Sequence, residues 1–249
     1  MILKKLFTHE EQLNNFIKYG KFHIFVIIFM FAFMYYCHKR KKDDKFEKAM
    51  IYIIFATQIL LYGWYATGEL FLIDGLPLYT CRIAGVALVI AYFFKNSLLK
   101  SLGVYLGIVG GIVALFTPAL YPYRMYHFTN INFFVFHLLL LGLSTYHLSN
   151  DEGEVIYKNR RRVQALTGVI LIGVALVNHF VGSNYSYTAS PPIFTTVAQN
   201  IKWIIYFIVL LFLYELSIYL ESVVIRIIAK RKKVEEEEEI HEYFYKDNF

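Results

Sequence analysis

The chain has 249 residues, 57% of them apolar and 18% charged, with a formal net charge of +6. That apolar share and a mean hydropathy of +0.46 exclude an ordinary soluble domain. The bases flank apolar runs instead of forming a patch interleaved with aromatics, so the charge marks orientation and excludes a nucleic-acid partner.

Residues 1–21 place Leu3, Leu6, Phe7, Leu13, Phe16 and Ile17 at roughly helical spacing among polar residues, which predicts a tail or a short interfacial helix. Seven apolar runs follow, at 22–37, 50–67, 76–94, 102–119, 131–147, 163–182 and 201–228. Each approaches the about 20 helical residues that cross a hydrocarbon core. The first has its bases after it and no small-residue cleavage site, so it reads as an anchor and not as a removable leader. Every second connection is basic. Lys39, Arg40, Lys41, Lys42, Lys45 and Lys48 follow the first run, Lys95 and Lys100 the third, Lys158, Arg160, Arg161 and Arg162 the fifth, and Lys230 to Lys233 the seventh. The connections 68–75, 121–130 and 183–200 hold Arg124 as their one base. The positive-inside rule then places the C-terminus inside and the N-terminus outside, against the weaker vote of Lys4, Lys5, Lys18 and Lys21.

The predicted fold is therefore all-α, a polytopic bundle of seven transmembrane helices in a cell membrane, bacterial by its Ile-, Lys- and Phe-rich usage. Residues 22–228 form the bundle and 229–249 a charged cytoplasmic tail whose acids at 235–239 are a solvated run. Gly103, Gly107 and Gly111 recur at four-residue spacing and let neighbouring helices approach closely. Asn130, His137 and Ser144 recur every seven residues, close to two helical turns, so they share a face that belongs inside the bundle.

Several runs carry polar side chains at one depth near the outer side: Cys81, His137, Asn178 with His179, and Thr117. Cys81 lies about five residues into its run, roughly 8 Å. A cysteine and a histidine at one level suit a nucleophile and its base, the imidazole taking the thiol proton as sulfur attacks an ester carbonyl. The ordinary role of a buried cysteine is a small hydrophobe. Cys37 and Cys81 sit at opposite faces of the bilayer, too far apart for a disulfide. Glu215, midway along the last run, predicts a polar partner or a protonated carboxyl.

The segments 76–84 (LPLYTCRIA), 115–119 (LFTPA), 132–146 (NFFVFHLLLLGLSTY) and 178–187 (NHFVGSNYSY) resemble the YwaF-type bacterial integral membrane proteins. Those are similar to the eukaryotic transmembrane protein 164 acyltransferases and, more distantly, to the androgen-induced-gene membrane hydrolases. The resemblance implies an acyl-transfer site with Cys81 as nucleophile and His137 as base. In the hydrolase relatives a threonine takes the nucleophile's place, which draws attention to Thr80. The chain departs from the eukaryotic pattern at Arg82, where those relatives look to have histidine.

The expected function is a lipid acyltransferase or transacylase that takes an acyl chain from a glycerolipid onto Cys81 and hands it to a lysolipid. Thr80, Asn178 and Asn184 are candidate oxyanion donors or orienting groups, and Tyr185 a headgroup contact. Membrane lipids are the expected partners, and neither metal nor cofactor is implied. The alternatives are a transporter or channel subunit, and a non-enzymatic lipid-binding or assembly protein of the same fold.

Overall fold

The computed structural model describes residues 5–150, 152–192 and 201–246, with side chains to residue 231 in the last segment. Its helices are α1 (Lys21–Lys39), α2 (Asp44–Ala66), α3 (Thr80–Phe94), α4 (Ser97–Phe116), α5 (Phe128–Ser149), α6 (Gly153–Val181) and α7 (Trp203–Lys246). A π turn at Phe71–Gly75 precedes α3, and a 3-10 turn at Tyr185–Tyr187 follows α6. No strand occurs among the described residues.

Six of the helices are long and apolar enough to cross a membrane, and α3 is a shorter apolar helix. The helix expected over 76–94 therefore begins four residues late. Pro77 is the cause: the residue before a proline avoids the helical region, and Leu76 is extended at φ −70°, ψ 152°. The remaining 15 residues span about 22 Å. The chain before them compensates with apolar surface, since Leu70, Phe71, Leu72 and Ile73 are all exposed. Elsewhere helices outrun their apolar runs. Asp43 caps α2 by accepting from Lys45 N and Phe46 N, which starts that helix at residue 44. Helix α6 takes in the basic stretch 158–162, and the backbone of α7 continues helical to Lys246. The acidic side chains at 235–239 lie outside the described side chains.

The glycine-rich α4 is the hub, packing on α3, α5 and α6. Its stripe is shared between two neighbours. A Cβ on Gly103 would lie 2.5 Å from Leu88 Cγ of α3, and one on Gly107 would lie 2.6 Å from Ser144 Oγ of α5. Helices α1 and α7 line the perimeter, where Phe25, Ile28, Phe31, Ile208, Phe212 and Leu213 are exposed. Such a surface is stable in lipid and a liability in water.

After helical backbone at residues 5 and 6, residues 8–17 are irregular and form a strap. It is bonded across the end of the bundle that carries Cys81. Gln12 N donates to Pro122 O at 2.9 Å, Asn14 Nδ2 to Tyr121 O at 3.0 Å, and Trp64 Nε1 to Phe7 O at 3.2 Å. The His9 ring stacks on Trp64 with centroids 4.4 Å apart. These long-range bonds supply partners that a helix would have supplied locally.

Candidate functional site around Cys81

Cys81 is the second residue of α3, and the helix start has no side-chain cap. The first N–H groups of a helix have no partner within it, and no side chain caps those of Thr80 and Cys81. The half-buried Cys81 leans on α4: a Cβ on Gly110 would stand 3.3 Å from Cys81 Cβ. His137, 5% exposed on α5, lies against the next residue of the same helix, its carbonyl 3.4 Å from the Cβ position of Gly111. Two elements distant in sequence thus set Cys81 and His137 at one level of the hub.

His137 Nδ1 lies 2.7 Å from the Phe133 carbonyl. A carbonyl only accepts, so in the neutral ring Nδ1 carries the proton and Nε2 keeps its lone pair. No hydrogen bond joins the ring to Cys81 among the described residues. Phe133 and Phe136 flank the imidazole, with centroids 4.3 Å and 5.2 Å away.

Arg82 follows Cys81 in the chain and is the buried cation of this end of the bundle. It is 5% exposed. Its Nη1 donates to the Asp74 and Leu76 carbonyls at 2.6 Å and 3.1 Å, and its Nη2 to the Tyr121 and Tyr65 hydroxyls at 2.8 Å and 3.4 Å. The guanidinium also lies over the Tyr79 ring, 4.9 Å from its centroid. Asp74 receives the Tyr65 and Tyr79 hydroxyls, both at 2.6 Å. The cation and the carboxylate are therefore joined through tyrosine. Burial pushes the Tyr121 phenol up, which keeps it a protonated hydroxyl beside the guanidinium.

The TMEM164 family model matches residues 15–220, most of the chain and all of this site. The chain belongs to the TMEM164 family. No curated protein and no solved structure matches it.

The other candidates of this TMEM164-family chain have structural partners. Asn178 fastens the loop after α6: its Nδ2 donates to Tyr185 O at 2.9 Å and Thr188 Oγ1 at 2.7 Å, while its Oδ1 accepts from Ser183 Oγ and Tyr185 N. Both amide donors are engaged. Asn184 does the same further out, donating to Ser190 O and Oγ at 2.9 Å and 3.0 Å. Tyr185 is wholly buried, its hydroxyl donating to Leu72 O at 2.9 Å and accepting from Leu76 N at 3.0 Å. It clasps the loop after α6 to the turn before α3. Thr80 Oγ1 meets Tyr214 OH of α7 at 3.0 Å. Thr117 bonds back to Val113 O on its own helix, and His179 is exposed beside Phe180.

Ser186 and Tyr187 take φ of 50° and 57°, so two residues with side chains hold left-handed backbone beside the chain that leads into α3. Such strain persists only where surroundings impose it, and here Ser186 Oγ donates to Leu78 O at 2.6 Å. Sequence reasoning missed the tyrosines, which follow no motif. For Arg82 the signal was present: a charge inside an apolar run marks function by default.

Proposed function

We propose that this protein is a membrane lipid acyltransferase in which Cys81 carries the acyl chain and His137 moves the proton. The observation that carries the reading is the placement of the two residues against Gly110 and Gly111, with Nε2 of His137 unprotonated. Membership of the TMEM164 family agrees with it. The alternating bases of the connections favour an outer-leaflet position for the Cys81 end.

In the first half-reaction the Cys81 sulfur attacks the ester carbonyl of a glycerolipid while its proton passes to Nε2. The oxyanion is met by the uncapped N–H groups of Thr80 and Cys81 at the positive end of α3. The C–O bond breaks, and the imidazolium returns the proton to the departing lysolipid oxygen. The second half-reaction reverses these steps with the hydroxyl of an acceptor lysolipid, and ends with Cys81 as thiol.

Overproduction is expected to change the acyl composition of cellular phospholipids. Cys81→Ala and His137→Ala should each abolish the change while the protein still accumulates, and the double variant should be no worse than either, because members of one catalytic unit are non-additive. Lipid profiles indistinguishable between wild type and variants, with lysolipid supplied, would count against the enzyme.

A second reading, a transporter, is favoured by one observation in the opposite half of the bundle. Both carboxyl oxygens of Glu221 are buried without a hydrogen-bond partner, as are Ser144 Oγ and Thr167 Oγ1. Glu215 shows no such isolation, since it is part-exposed and its side chain hydrogen-bonds with Gln164.

A further inference from the structure

A buried arginine ordinarily meets a carboxylate. Arg82 instead spends its four described bonds on two carbonyls and two phenols. Those acceptors come from three pieces of chain: α2 (Tyr65), the turn before α3 (Asp74, Leu76) and the α4–α5 connection (Tyr121). The third carries the N-terminal strap, through Asn14 Nδ2 on the Tyr121 carbonyl and Gln12 N on Pro122. A single side chain, next to Cys81 in the chain, thus gathers three segments at the Cys81 end of the bundle.

A thioester on Cys81 faces two nucleophiles. With a lipid hydroxyl the C–S bond breaks, a C–O bond forms to the lipid oxygen and the hydroxyl proton ends on sulfur. With water the same bond breaks, a free fatty acid leaves and the chain is lost. Sealing a site against water is how enzymes prevent the second outcome. Building on the acyl-transfer reading above, we propose that Arg82 is the positioning residue that closes the loop side of Cys81 to water, so that the acyl chain passes to lipid instead of being hydrolysed. The ligand of the guanidinium is the protein itself, which is why it binds loops and not a headgroup.

The test uses the full chain in nanodiscs with Cys37→Ser, so that Cys81 is the sole cysteine. A charged maleimide that does not enter lipid should modify Cys81 at least about tenfold more slowly than a cysteine placed by Glu69→Cys in a Cys81→Ala background. Glu69 is exposed in the same connection. Arg82→Gln should raise the Cys81 rate about tenfold, and Tyr121→Phe, which removes one of the four bonds, by less. With a labelled phospholipid and unlabelled lysolipid, both variants should raise the ratio of free fatty acid to transferred chain, a partition that general loss of stability does not change.

If Arg82→Gln does not accumulate, Tyr121→Phe carries both readouts. Wild-type Cys81 as reactive as the Glu69→Cys control would overturn the seal. Variants that open to maleimide with an unchanged product ratio would overturn its role. A wild type that neither transfers nor hydrolyses would defeat the acyl-transfer reading, while the maleimide rates would still report whether Arg82 closes the site.

Discussion

The two ends of the bundle tie their loops together by opposite means. At the basic end charges are paired directly. Lys100 Nζ lies 2.7 Å from Glu152 Oε1, His147 Nδ1 lies 2.9 Å from Glu152 Oε2, and Arg40 Nη2 lies 2.6 Å from Asp43 Oδ2. Burial works to raise the Glu152 carboxyl, but the hydrogen bond and charge of His147, then those of Lys100, outweigh it and hold the group at about 2. At the Cys81 end the buried cation has no carboxylate partner among the described residues; neutral oxygens accept from its N–H groups, and Asp74 stands one phenol away. A paired charge is spent on structure. An arginine held by neutral dipoles keeps its field, and Arg82 is the residue next to Cys81.

The sharpest way to break this comparison is to remove one cation from each end. Arg82→Leu strips partners from two carbonyls and two phenols and should cost about 3 kcal/mol or more. Lys100→Ala removes a part-exposed pair and should cost about 1 kcal/mol, less at high salt. Thermal unfolding in one detergent compares them, and equal losses would erase the distinction. Acid sharpens it further. Glu152 titrates low in the folded protein, so its contribution is present above the ordinary 4.5 and is lost as the pH falls toward about 2. The cost of Lys100→Ala should shrink over that window, and a cost that grew on acidification would contradict the pairing.

A smaller effect separates two glycines of α4. An alanine at Gly103, toward the basic end, would meet Leu88 Cγ at 2.5 Å and the Ala84 carbonyl at 3.0 Å. Overpacking there should cost about 1–3 kcal/mol. An alanine at Gly110 meets Cys81 Cβ at 3.3 Å, a contact relieved by a shift of a few tenths of an ångström. Stability should barely move, while acyl exchange should fall about tenfold because the nucleophile is displaced. The reverse pattern, with stability lost at Gly110 and activity spared, would make that glycine packing alone.

What the sequence disclosed follows from the range of the forces involved. Helices and connections were legible because burial in lipid imposes long apolar runs. The common level of Cys81 and His137 was legible because helical rise is uniform. The late start of α3 was written in Pro77, though hydropathy alone masked it. The strap, the Arg82 network and the loop fasteners Asn178 and Asn184 were not legible, because their meaning lies in partners. Arg82 meets Tyr121, 39 positions away, and Tyr185 meets Leu72 and Leu76 across more than a hundred. Nothing local distinguishes a tyrosine that completes a buried network from one that faces lipid.

The most direct measurement of the proposed function is capture of the acyl chain on the protein. The protein in nanodiscs is incubated with a labelled phospholipid, quenched in acid and digested, and the peptides holding Cys37 and Cys81 are weighed. A fatty-acyl mass on Cys81 alone, removed by neutral hydroxylamine and absent in His137→Ala, is the predicted result. Acyl exchange that proceeds with an unmodified Cys81, or a label shared equally with the buried Cys37, would contradict it.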